Sequence, residues 1–318
     1  MIPKRIFYVW GINDEKKRDV QVCIQTWRQY LPDYEIIEIN ENSKEYFDFQ
    51  KELQNNKWFK TVYERKMYAF VADYIRVKVL YENGGIYLDT DVSVVKPFDS
   101  DLLTNPAFVG IQSGGKDSLT EPAILGAQQG NKFLKEILKF YNQQIWTEPI
   151  YTIPEIFKYY IEKMYSIKEF PLKNMQKIIY LKDITLYPEK YFIPFEFGEK
   201  FSPKCVEQET YTIHWFGGSW VNPEILHFLK HKHLGKFETY VPTKKFLLFS
   251  FIPLIKIIEK SNSSIIYLFY IIPLLKITKI KKQKIIKFLE IPFLTIQHFH
   301  QYTKIRFFNL FTILKIKH

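Results

Sequence analysis

Two aspartates two residues apart, Asp89 and Asp91, follow directly on the run Gly84-Gly85-Ile86-Tyr87-Leu88. Three apolar residues after paired glycines read as a short buried strand. The acids then emerge at its carboxyl end, where open α/β sheets bind ligands. Oxygen donors this sparse suit Mg²⁺ or Mn²⁺ held jointly by protein and a substrate diphosphate. Gly84 and Gly85 let the backbone turn tightly and leave space for a ligand beside the strand. Asp73 and Arg76, three apart on a helical pattern, can point to one place, although the same spacing makes an ordinary ion pair. Far downstream, Tyr211-Thr-Ile-His214 delivers a histidine from an apolar strand. Gly217-Gly218 after it lets backbone N–H groups face an anion, and the indole N–H of Trp220 is a natural phosphate donor. Trp10 closes the first apolar run, where its ring can stack on a base or pack in the core.

These side chains need a frame. Ile6–Trp10 predicts a strand, a helical pattern follows through Val22, Trp27 and Tyr30, and Glu35–Ile39 predicts a second strand. Glu64–Tyr81 has a broad apolar helical face and stops at Asn83-Gly84, a left-handed C-terminal signal. Further strands are expected at Ile86–Leu88, Ala107–Ile111, Ile178–Leu181 and Tyr211–His214. Helices are expected at Asn131–Gln144 and Thr152–Tyr165. The alternation predicts an open α/β sheet with crossover helices.

Charge divides the chain. Of a net +11, residues 244–318 hold thirteen lysines and Arg306 against Glu259 and Glu290, a balance of +12, so residues 1–243 are close to neutral. A catalytic domain over 1–243 and a basic, apolar tail over 244–318 are therefore expected. Prolines 253, 273 and 292 punctuate the tail 20 and 19 residues apart. Its lysines interrupt every apolar stretch before the ~18 residues a spanning helix needs. Short amphipathic helices lying on an anionic membrane surface are the expectation. No nucleic-acid-binding motif accompanies the charge, and nucleic acid is not an expected partner. Cys23 and Cys205 lack metal or redox spacing and read as reduced thiols. No signal-peptide pattern opens the chain.

The stretch Ala69–Asp99, with Asp73-x-x-Arg76 and Gly-Gly-Ile-Tyr-Leu-Asp89-Thr-Asp91, resembles the D-x-D sugar-binding region of a glycosyltransferase family. That family holds bacterial capsular and lipopolysaccharide sugar transferases and the fungal initiating α-1,6-mannosyltransferase (family 32-like). Clostridial glucosylating toxins are more distantly similar. The opening Ile2–Trp10 also resembles the family's first strand, with Phe7 where histidine is common, and the likeness covers roughly residues 1–222. It implies a GT-A type, Rossmann-like nucleotide-sugar-binding fold and a retaining, metal-dependent hexosyl transfer, most readily from a UDP-sugar. The basic tail fits an oligosaccharide or lipid-linked acceptor presented at the cytoplasmic face of the membrane, which points towards capsule, lipopolysaccharide or another surface glycan. The likeness implies Asp91, Asp89 and His214 as ligands of Mn²⁺ (or Mg²⁺), with Asp89 and Asp91 as the catalytic acids. Trp10, Asp73, Arg76, Gly85, Asp89, Ser219 and Trp220 would contact the donor. Two other readings stand beside it. One is a metal-dependent phosphohydrolase or nucleotidyltransferase using the same acids; the other is a membrane scaffold without activity.

Overall fold

A computed structural model describes residues 1–11, 15–112, 119–167, 175–195, 198–217 and 223–235, together with the strands between 243 and 317. The chain forms two compact units, Met1–Phe237 and Glu238–His318.

In the first unit β1 (Arg5–Val9), α1 (Arg18–Tyr30) and β2 (Glu35–Ile39) build a parallel β-α-β start. Two short helices follow, α2 (Phe49–Asn55) and α3 (Lys57–Glu64), capped by the Asp48 and Asn56 side chains. The helix expected over Glu64–Tyr81 starts later, as α4 (Tyr68–Asn83), because Lys66 takes φ 57° and breaks the run. β3 (Gly85–Leu88) and β4 (Val92–Val94) flank the acidic turn. α5 (Ser100–Leu103), β5 (Ala107–Gln112), β6 (Leu119–Ala127) and α6 (Lys132–Lys139) come next. α6 passes into a π-helical turn at Phe140–Gln144. α7 (Ile153–Tyr165) opens with a Thr152/Glu155 capping box, and β7 (Ile179–Tyr180), β8 (Thr185–Tyr187), β9 (Thr212–His214) and α8 (Pro223–His231) complete the unit.

The main sheet runs β2-β1-β3-β6-β5-β8-β7. β1 is parallel to β2 and β3, and β5 to β8, while β6 runs antiparallel between β3 and β5. The α/β expectation thus holds, with a mixed sheet of the GT-A, Rossmann-like kind. Successive strand residues face opposite sides. Phe7 and Tyr87 enter a core with α3, α4, α6 and α7, whereas Ile6, Tyr8, Ile86 and Leu88 enter one with α1. A separate two-stranded ribbon pairs β4 with β9.

The second unit corrects the helical tail. Residues 243–317 form eight antiparallel strands in sequential order: β10 (Thr243–Leu248), β11 (Ile252–Lys260), β12 (Ser263–Leu268), β13 (Ile272–Ile280), β14 (Gln283–Phe288), β15 (Ile291–His298), β16 (Tyr302–Phe307) and β17 (Phe311–Lys317). The physical reason lies in seventeen isoleucines whose β-branched stems favour extended backbone, and in runs such as Lys276-Ile-Thr-Lys-Ile280 that lack a helical period. The prolines open strands rather than helices. Pro253, Pro273 and Pro292 each lie at a register shift, where the ladder is already broken and a missing N–H costs least.

Candidate active site

Beyond Leu88 the chain turns sharply. The Asp89 N–H donates to the Ala123 carbonyl at 2.9 Å, and the Val92 N–H to the Asp89 carbonyl at 3.0 Å. This turn feeds β4, whose Val92 pairs with His214 of β9, a residue more than a hundred positions away. The Trp215 N–H then donates to the Asp91 carbonyl at 2.9 Å, and its indole to Ser93 Oγ at 2.8 Å. The Gly217 N–H reaches Asp91 Oδ2 at 2.7 Å. A Cβ at 217 would lie 3.1 Å from that same oxygen, so the close approach suits glycine. Asp89, Asp91 and His214 each offer one ligand atom within 4.8 Å of the others.

Arg76 organises the other side. Buried on α4, its guanidinium meets Asp73 Oδ1 and Asp89 Oδ1 at 3.1 Å each and donates to the Pro122 carbonyl at 2.8 Å. It also lies 4.6 Å from the centre of the Tyr87 ring, whose hydroxyl donates to Asp89 Oδ1 at 3.1 Å. One oxygen of Asp89 is thereby fixed by two donors. The i, i+3 stripe of Asp73 and Arg76 is accordingly no surface ion pair.

Four carboxylates, Asp73, Asp89, Asp91 and Glu121, share this space with one guanidinium and one imidazole. Burial pushes Asp73 up to about 7 even beside Arg76, and it raises Asp89 against the pull of the same cation. Burial works the same way on Asp91 and Glu121, but His214 overcomes it and holds both below the usual carboxylate range, aided by the Gly217 and Ala123 N–H groups. For His214 burial favours the neutral ring, yet Glu121 and Asp91 raise it to about 10. Its Nε2 stands 3.4 Å from Asp91 Oδ2. Its Nδ1 stands 3.7 Å from Glu121 Oε2, too far for a hydrogen bond, and is a buried nitrogen with no hydrogen-bond partner. A surplus of negative charge around two aspartates and an imidazole fits a divalent cation. The mixed oxygen and nitrogen set suits Mn²⁺ at least as well as Mg²⁺.

The structure gathers Asp73, Arg76, Asp89, Asp91 and His214 in one place. Trp10 sits half-buried just past β1, on the sheet edge shared with the acids because β1 and β3 are parallel neighbours. Gly85 lies at the other end of β3. A Cβ there would come within 3.0 Å of the Arg5 carbonyl and the Phe7 ring, so strand packing accounts for this glycine. Ser219 and Trp220 lie outside the described residues. Glu121 and Tyr87 were not among the expected site residues. The signal for Glu121 was Pro122, since a proline inside a strand marks a bulge that re-aims its neighbours. Such an irregularity falls here, as the partner register jumps from Leu125 to Glu121 between Val109 and Gly110.

Residues 17–108 match the family model described as "Glycosyltransferase sugar-binding region containing DXD motif". Over 113 residues the chain is 34% identical to inositol phosphoceramide mannosyltransferase 3 of Schizosaccharomyces pombe, covering 34% of this chain and 29% of that protein. Over 48 residues it is 46% identical to glucan organizing enzyme 1 of Cryptococcus neoformans, covering 15% and 13%. The chain thus spans less than a third of the length of these curated relatives. Among solved structures, the PaToxG glycosyltransferase superposes with a TM-score of 0.40 at 19% identity, over 51% of this chain and 70% of that one. The first unit therefore contains a glycosyltransferase-type D-x-D region and is related to fungal transferases through it.

Proposed function

We propose that the first unit is a metal-dependent glycosyltransferase that moves a hexose from a nucleotide-sugar donor to a glycan acceptor. The observation that carries this reading is the convergence of Asp89, Asp91 and His214 at the carboxyl edge of β3, inside and opposite the D-x-D region. Asp91, Asp89 and His214 would hold Mn²⁺ (or Mg²⁺). When bound, that ion supplies Lewis-acid neutralisation of charge on the departing diphosphate. The protein supplies position. Arg76 and the Tyr87 hydroxyl orient Asp89, and Gly217 N–H orients Asp91. Asp73 and Arg76 face the donor hexose, while Trp10 is assigned to the base. Ser219 and Trp220 are assigned to the diphosphate. Pre-set dipoles of this kind favour the charge distribution of the transition state over that of the bound donor.

The finer reading is a retaining transfer from a UDP-sugar onto a lipid-linked or surface glycan of the capsule or lipopolysaccharide kind. It would proceed on the cytoplasmic face of a membrane to which the second unit holds the enzyme. The support is the resemblance of residues 69–99 and the +12 balance of residues 244–318. No described helix is long and apolar enough to cross a membrane.

The test is incubation with Mn²⁺ and a panel of nucleotide sugars. Release of nucleoside diphosphate from one donor, lost in Asp91→Asn, is the expected result. Release from none of them, or cleavage to nucleoside monophosphate as a phosphohydrolase would give, overturns the reading.

A further inference from the structure

Beside the acidic turn stands an aromatic group that the cation site does not use. Trp215 follows His214 directly, and its backbone N–H holds the Asp91 carbonyl at 2.9 Å. Its indole N–H turns inward and donates to Ser93 Oγ at 2.8 Å, which ties the ring to β4. Phe201 packs edge-on against that ring with centres 4.9 Å apart, Phe195 lies at 6.2 Å, and the two phenyl rings meet at 5.6 Å. Phe216, the next residue, takes φ 53°, a left-handed conformation that a bulky residue adopts only where its surroundings impose it. The Phe216 ring lies against His214, with centres 4.5 Å apart, while Trp215 is 41% exposed.

With its one donor engaged by Ser93, this indole offers a ligand only ring carbon. The negative potential above such a face attracts weakly positive C–H groups. An anion is repelled by the face and by the surplus of carboxylates next to it. The exposed part of one tryptophan, roughly 100 Å², falls far short of the ~800 Å² that each partner gives to a standard protein interface. It matches a single small ring. A pyranose has the right shape, because its axial C–H groups form an apolar face while its hydroxyls project around the rim.

We propose that Trp215, propped by Phe195 and Phe201, is the stacking platform for a pyranose ring of the acceptor. The proposal rests on the transferase reading, which needs an acceptor sugar beside the cluster of Asp89, Asp91 and His214. A ring already fixed by a hydrogen bond and two neighbours gives up little side-chain freedom when the sugar arrives.

The test is saturation-transfer NMR of the full-length protein with methyl β-glucoside, methyl β-galactoside and methyl α-mannoside. Irradiating the protein's aromatic protons should pass saturation to the ring C–H protons of at least one of them, and uridine diphosphate with Mn²⁺ should not displace it. Trp215→Phe, which keeps a π-face without the indole N–H, should retain the transfer, whereas Trp215→Leu should weaken binding about fivefold. The wild-type Trp215 indole signal, assigned by its absence from Trp215→Phe, should also move on titration with the same sugar, a readout that needs no destabilised variant. No transfer from the wild type, an unmoved indole signal, equal binding by Trp215→Leu or loss in both variants overturns the proposal. So does displacement by uridine diphosphate, which would give the platform to the donor. Sugar binding at Trp215 without nucleoside diphosphate release from any donor would refute the transferase reading while leaving the sugar platform; release without such binding would refute the platform alone.

Discussion

Glu121→Gln removes one negative charge 3.7 Å from Nδ1 of His214 and keeps the side chain's shape. At an effective dielectric near 20 that charge pair is worth about 4 kcal/mol, equivalent to about 3 pH units in the ring's titration. Burial already favours the neutral ring, and the Asp91 charge at 3.4 Å remains. His214, held at about 10 in the wild type, should therefore titrate about 2 to 3 pH units lower in the variant. Long-range ¹H–¹⁵N spectra of the imidazole nitrogens in the metal-free protein follow this directly and do not require turnover. Metal binding gives a second readout. His214 must shed its proton to become a ligand, so wild-type Mn²⁺ affinity should rise with pH up to about 10, whereas the variant's should level off earlier. A fall of less than about one pH unit would refute the placement of an ionised Glu121 against this ring.

Asp91→Asn should abolish Mn²⁺ binding by electron paramagnetic resonance while leaving the far-ultraviolet spectrum unchanged; retained binding and transfer would remove Asp91 from the site. Asp73 has a folded-state value of about 7, above its ordinary 3.8, so the folded protein binds the extra proton between those values. Its contribution to stability is present below about pH 4 and is lost as pH rises through 7. Urea midpoints of Asp73→Asn should accordingly decline less over that interval than those of the wild type. Arg76→Met leaves buried carboxylates without their cation and should cost about 3–5 kcal/mol by denaturant unfolding. In Gly126→Ala the new methyl would lie 2.1 Å from the Phe108 ring, itself fully buried, and overpacking of about 1–3 kcal/mol should appear as a lower Tm. Full-length protein should co-sediment with anionic vesicles at low salt and release near 0.5 M, where screening shortens to a few ångströms. Binding that survives such salt would separate the membrane contact from the lysines.

What could be read in advance was local. The β3 strand and its two acids are specified within eight consecutive residues. Asp73 and Arg76 are neighbours by helical geometry alone. Glu121 depends on a bulge in β6 and on β6 lying between β3 and β5, a pairing that no short window encodes. That strand was not among the expected elements, and a proline inside it argues by residue type against an interior strand. The α3–α4 break depends on one lysine in a left-handed conformation, which composition does not announce. The second unit misled for a different reason. Its proline spacing revealed the repeat, but prolines open helices and occupy strand irregularities equally well, and only the register shows which.

The ribbon between β4 and β9 has a temporal meaning. Both aspartates leave the ribosome early, but the pairing of Val92 with His214 waits for another 122 residues. Until β9 docks, a nascent chain carries the acidic pair without its imidazole and without the Gly217 N–H that steadies Asp91. The cluster of Asp89, Asp91 and His214 is thus completed only when nearly the whole first unit has been made. A divalent cation held there would report that folding has finished, and truncation before Thr212 should yield protein that retains the D-x-D sequence yet cannot close the site.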